Sequence, residues 1–125
     1  MRHLLAFVAL QFLALSAHGM CMFARDAQPQ DWYEWATVLF AADVTEVEQQ
    51  SRNDVVSLRV VETFKGPEGA ASATLQVPNN LWEACRLERP AVGARVLAAL
   101  NANSDALLVP LTASYAERLR AVKPK

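Results

Sequence analysis

Thr37-Val38-Leu39-Phe40-Ala41-Ala42-Asp43-Val44-Thr45-Glu46-Val47-Glu48 and Val55-Val56-Ser57-Leu58-Arg59-Val60-Val61-Glu62-Thr63-Phe64-Lys65 are the two stretches that decide the fold. Val38, Phe40, Ala42 and Val44 recur at every second position of the first. Val56, Leu58 and Val60 do so in the second, with Ser57 and Arg59 on the opposite side. A period of two puts one set of side chains on one face of an extended chain, which is the signature of a half-buried strand. The polar run Gln49 to Asp54 between them reads as a turn, so the pair is expected to form a long antiparallel hairpin.

Working outward, Lys65-Gly66-Pro67-Glu68-Gly69 breaks the second strand. Ala73, Leu75 and Val77 mark a third, stopped by Pro78-Asn79-Asn80, and Trp82 is expected in the loop beyond it. Arg95 to Leu100 (RVLAAL) and Ala106 to Val109 (ALLV) supply a fourth and a fifth, parted by the turn-rich Asn101 to Asp105. Alanine and leucine favour helix in RVLAAL, but its shortness and flanking turn signals favour strand. Pro110 ends the last strand. Thr112 or Ser114 can then cap a helix running to Val122, with Tyr115, Leu119 and Val122 on one stripe and Arg118 and Arg120 near its negative end. On the N-terminal side, Ala24 to Gln30 reads as irregular, and Asp31 to Trp35 as one helical turn capped by Asp31. The expected fold is mainly β, a five-stranded OB-like Greek-key barrel with a short N-terminal helical turn and a C-terminal helix, occupying residues 20–125 as a single domain.

Residues 1–19 read as a secretory signal peptide. Met1-Arg2-His3 gives a positive start, Leu4 to Leu15 an apolar run broken only by Gln11, and Ala17 and Gly19 a small-residue exit. The run falls short of the roughly 20 residues a bilayer span needs, so no transmembrane segment is expected. Export implies a periplasmic or secreted protein. A lipid anchor on Cys21 is the alternative, and Met20 and His18 fit such a site poorly. Loss of Arg2 leaves 11 basic against 13 acidic residues and a net charge of −2, which provides no electrostatic footprint for nucleic acid. Both histidines, His3 and His18, lie within residues 1–19, the segment expected to be removed. A processed chain without histidine lacks the usual general base of nucleophilic sites and the commonest zinc ligand, so no catalytic residue, metal or cofactor is expected.

Cys21 and Cys85 are the only cysteines. An even count in an exported chain reads as a disulfide, and closing so long a loop contributes about 4 kcal/mol at most by chain entropy. No C-x-x-C supports thiol exchange. Met20-Cys21-Met22 offers soft Cu(I)-type ligands, against which stands the commoner role of methionine as a plain apolar contact.

The order of these features resembles bacterial proteins with the fold of tissue inhibitors of metalloproteinases. Ala36 to Val47 is similar to their first strand, Phe64-Lys65-Gly66 to the Lys-Gly end of the second, and Val77-Pro78 to the end of the third. Cys85 followed by Gly93-Ala94-Arg95-Val96-Leu97-Ala98-Ala99 corresponds to their later cysteine and fourth strand, and Cys21 to their N-terminal cysteine. The resemblance implies an OB-like barrel with Cys21 bridged to Cys85. The chain departs from the pattern at Cys21-Met22-Phe23, where a C-x-C is common, and at Arg86, where a glycine often follows the cysteine. Its fourth strand is aliphatic where aromatics are usual. Met20 before Cys21 blocks the zinc chelation used by the animal inhibitors, so metalloproteinase inhibition does not carry over.

Function is therefore expected to be that of an exported, non-enzymatic protein-binding module, an inhibitor or accessory factor with an unidentified protein partner. The alternative is a soft-metal or small-molecule carrier using the barrel mouth. Met22, Phe23 and Trp82 are the candidate binding surface, an exposed apolar ridge gathered beside the Cys21–Cys85 bridge. Trp35 is expected to plug one barrel end, and Trp32 either to join it there or to serve recognition. Asp43, Glu46, Glu48 and Glu62, and the loop residues Arg86, Glu88 and Arg89, read as solvated charges. Under denaturing conditions the exported protein is expected to show no free thiol; quantitative labelling of both cysteines would remove the bridge from the account.

Overall fold

In a computed structural model, residues 26–124 are described. They form a helix α1 (Pro29–Trp35), strands β1 (Val38–Gln49), β2 (Asn53–Lys65) and β3 (Ser72–Pro78), a short helix α2 (Asn80–Ala84), strands β4 (Arg95–Leu100) and β5 (Ala106–Pro110), and a helix α3 (Ala113–Ala121). The strands make one antiparallel sheet in the order β3-β2-β1-β4-β5. Its edges, β3 and β5, approach within 8 Å between Cα atoms without joining in a ladder. All five strands and the C-terminal helix lie where the periodicity and the turn signals put them. The helix α2 was not foreseen, because five residues are too few to show a helical period.

Both faces of the sheet are covered. Phe40, Ala42, Val44, Val56, Leu58, Leu75, Val77, Val96, Ala98 and Leu108 meet in an inner cluster that Trp82 of α2 completes. Leu39, Ala41, Phe64, Leu97, Ala99, Leu107 and Val109 meet Trp32, Tyr33, Ala116 and Leu119 in an outer cluster beneath α1 and α3. Trp32 and Trp35 thus belong to α1 on the outer face, in an edge-to-face pair with centroids 6.3 Å apart, rather than to a barrel end. Double burial explains why β4 and β5 are nearly continuous apolar runs. A strand wet on one face alternates; one covered on both does not.

The hairpin is bent by irregularities. Its register slips between Leu39 and Phe40, between Ala41 and Ala42, and between Val44 and Glu46. The slip at Ala41/Ala42 leaves Val61 without an opposite number, and it turns over the parity of β2: Leu58 faces inward while Phe64, also even-numbered, packs outward. The same slip sends Glu62 to the outer side, where Arg120 of α3 reaches it through Nε and a terminal nitrogen at 2.8–2.9 Å.

The caps refine the sequence reading. Asp31 sits in the first turn of α1, not before it: Gln28 is the cap residue, and its backbone N–H donates to the Asp31 carboxylate at 2.9 Å. Pro29 opens the helix, a position where its missing N–H costs nothing. Of the two candidate caps on α3, Thr112 serves, accepting from the Tyr115 N–H at 3.2 Å. Gly66 lies at φ +100°, where a Cβ would meet Thr37 O at 3.3 Å, so the Lys-Gly turn needs glycine for both conformation and space.

Arg86 follows α2 at φ +53°. This is the left-handed conformation with which helices commonly end, and glycine meets it without a Cβ penalty. The resemblance had drawn attention to this position because glycine often stands there. Arg86→Gly is expected to raise stability by about 0.5–1 kcal/mol, relief of the backbone penalty outweighing the added freedom of the unfolded chain. A lowered urea midpoint in the variant would contradict this.

Candidate binding cleft beside strand β5

Asp54 is the one charged side chain fully withdrawn from solvent among the described residues. It is the second residue of β2, two before Val56 on the same inward face. Its Oδ2 accepts a hydrogen bond from the Trp82 indole N–H at 2.9 Å and another from Arg89 Nε at 2.6 Å, while Oδ1 has no hydrogen-bond partner. Trp82 is only 5% exposed. The expectation of an exposed ridge containing Trp82 is therefore corrected for this residue: its ring closes the inner cluster, and its N–H is spent on a buried carboxylate. Met22, Phe23 and Cys21 lie outside the described residues. Cys85, directly after α2, is 2% exposed.

Past α2 the chain is fastened at two places. The Leu87 N–H donates to Trp82 O at 2.8 Å, and the Gly93 N–H donates to Val44 O at 2.7 Å. Between them, residues 88–90 make no hydrogen bond among the described residues except the one from Arg89 to Asp54. This segment passes β5, the terminal strand of the sheet, whose outward N–H and C=O groups have no ladder partner. Two hollows flank it and share Val109 and Pro110 as a wall. One, of about 160 Å³, lies between residues 88–91 and the β4–β5 pair, with Arg89 and Arg95 among its lining residues. The other, of about 400 Å³, lies between Leu87, Trp32 and Tyr115. Arg89, read from sequence as an ordinary loop charge, is the side chain that fixes this span.

Further along β1, Asp43 stands directly opposite Arg59 on one side and Arg95 on the other. The carboxylate accepts from Arg95 Nε at 2.5 Å and from a terminal nitrogen of Arg59 at 2.6 Å. Hydrogen bonding to Arg95, with a further contribution from Arg59, holds its pKa below the usual carboxylate range, and Arg120 does the same for Glu62. The reading of Asp43 and Glu62 as merely solvated charges is corrected. Each is clamped by arginine, and a carboxylate so stabilised as its anion is a poor proton acceptor.

Nothing else in the described residues gathers chemistry. No group of three or more His, Cys, Asp or Glu is placed to hold a metal ion among them. Nor is any described helix long and apolar enough to cross a membrane. No family model matches the chain, and no match is found among curated proteins.

The sequence did hold a signal for Asp54. Extending the period of Val56 and Leu58 back by one step puts residue 54 inside, and an inward carboxylate demands a donor. Arg89→Ala is expected to cost about 2–3 kcal/mol, below the range for a fully buried pair because Arg89 is 40% exposed. In a double-mutant cycle with Asp54→Leu, the coupling measured by urea unfolding should exceed about 1 kcal/mol; additive losses would show that the two side chains act separately.

Proposed function

We propose that the chain is an exported, non-enzymatic protein-binding module, an inhibitor or accessory factor acting in the periplasm or after secretion. The observation that carries the reading is the pair of hollows beside β5, the smaller of them bordered by a segment that one ion pair to a buried carboxylate holds in place. An open strand edge next to an apolar depression is a common way to engage an extended partner.

A barrel of the OB-like Greek-key kind, related to the metalloproteinase-inhibitor fold, is part of the proposal. Strand order supports it, because β3 and β5 are the two ends of the sheet and approach each other without pairing; Gln76, Pro78 and Ala106 border one gap between them, whereas the cleft lies at the Leu108–Pro110 half of β5. The proposed Cys21–Cys85 bridge is supported by the burial of Cys85 and by the absence of a free cysteine among the described residues. It would bring Met22 and Phe23 to the end of α2, close to Leu87 and the larger hollow. The candidate surface then becomes Met22, Phe23 and the rim of the cleft, with Trp82 as its internal support.

Small-molecule carriage is the second reading, favoured by the size of the smaller hollow, since an apolar cavity of roughly 150 Å³ accommodates benzene. A photo-crosslinking side chain at Ala91, on the cleft, is expected to give one discrete protein adduct in the native compartment. The same group at Glu68, in the β2–β3 turn, should give none. Equal labelling from both positions, or adducts from neither, would reject the binding-module reading.

A further inference from the structure

Arg89 and Arg95 both border the smaller hollow, but they are not equally committed. Arg95 gives Nε and a terminal nitrogen to Asp43. Arg89 gives Asp54 its Nε alone, and its terminal nitrogens have no hydrogen-bond partner among the described residues. A guanidinium held by one nitrogen against a buried carboxylate keeps its remaining fork oriented without further ordering. That fork matches a second carboxylate in bidentate fashion. The rest of the lining beside it, Pro90, Ala91, Val96, Leu108, Val109 and Pro110, carries no charge. At about 160 Å³ it has room for one leucine-sized or phenyl-sized group. The terminal edge of β5 runs past the same place.

Three features with different chemical demands thus lie together: an apolar socket, a cationic fork and an unpaired strand edge. One ligand satisfies all three. We propose that this hollow binds the C-terminus of an extended peptide, its last side chain apolar and seated in the socket, its carboxylate on Arg89, and its backbone added along β5. The inference rests on the protein-binding reading and narrows it to a partner chemistry. Glu88, on the same rim, disfavours an acidic residue just before the terminus, and so sharpens the preference for a neutral one.

The test uses the full chain expressed with its own leader and a fluorescein-labelled Thr-Val-Thr-Leu peptide bearing a free C-terminal carboxylate, followed by fluorescence anisotropy. The C-terminal amide of the same peptide is expected to bind at least about tenfold more weakly, the loss of a charge-assisted hydrogen bond. Arg89→Lys keeps a cation against Asp54 but withdraws the fork, and should weaken the acid peptide more than the amide, narrowing the ratio between them. Ala94→Phe, which fills the socket, should abolish binding of both; if that variant fails to fold, the acid–amide comparison on the unaltered protein decides. Acid and amide binding alike, or neither binding, would overturn the proposal. Displacement by 4-methylpentanoate at the same concentration as by the peptide would assign the site to a small acid and overturn strand addition. A partner captured through Ala91 alongside a failed peptide titration would sink this inference and leave the binding-module reading standing.

Discussion

Strand β1 is hydrogen-bonded on both edges and covered on both faces, and every other element is placed by that constraint. From Leu39 to Asp43 it pairs with β2 on one side and β4 on the other. Leu39 and Ala41 press outward under α1 and α3, while Phe40 and Ala42 press inward. A strand in this position leaves no polar surface to relieve an error of register, since a slip of one residue would exchange the contents of two cores. The irregularities of the hairpin all lie in the β1–β2 pairing; the pairing with β4 runs unbroken from Val38–Leu100 to Asp43–Arg95. Register slips are thus confined to the hairpin, and the β4–β5 pairing stays regular beside the cleft.

That division shows how much of the fold could be read from the residues. Alternation was legible in β2 and β3, where one set of side chains meets the inner cluster and the other is partly wet; in β1 the inward set Val38, Phe40, Ala42 and Val44 stands at every second position although Leu39 and Ala41 between them are buried on the other face. In β4 and β5 alternation is absent because both faces are buried, and shortness and flanking turns had to serve instead. Phe64 marks the limit of parity reasoning. Continued from Val56 and Leu58 it belongs inside, yet the bulge at Val61 carries it outside. A local irregularity of hydrogen bonding leaves no trace in hydrophobic pattern, so this could not be anticipated.

The cleft was less legible than the fold, for a different reason. Its decisive interaction joins Asp54, Trp82 and Arg89, from a strand, a five-residue helix and a loop. Each looked ordinary alone: an acid at a turn, an aromatic in a loop, a base among other charges. Tryptophan was expected at the surface because recognition sites favour it. The structure gives Trp82 the opposite duty, filling the inner cluster while its N–H answers a carboxylate that water cannot reach. Burial of Asp54 makes this contact far more consequential than the arginine clamps on Asp43 and Glu62, whose partners remain substantially exposed.

A buried carboxylate satisfied through one oxygen is a demanding element to keep in a small core. Filling the same space with an apolar side chain would often be neutral or better for stability alone. What the carboxylate provides, and an apolar residue could not, is direction. It draws Arg89 across the gap between the inner cluster and β5, and so fixes the height of residues 88–90, which no backbone hydrogen bond restrains. The span of the hollow beneath them is then set by an ion pair rather than by packing. Packing tolerates only one spacing, whereas an arginine that is 40% exposed keeps its terminal nitrogens available to a second acceptor while Nε stays bound. Rigid positioning at the buried end and an open, oriented fork at the exposed end are the two properties that the rim of a recognition cleft requires, and in this protein a single side chain supplies both.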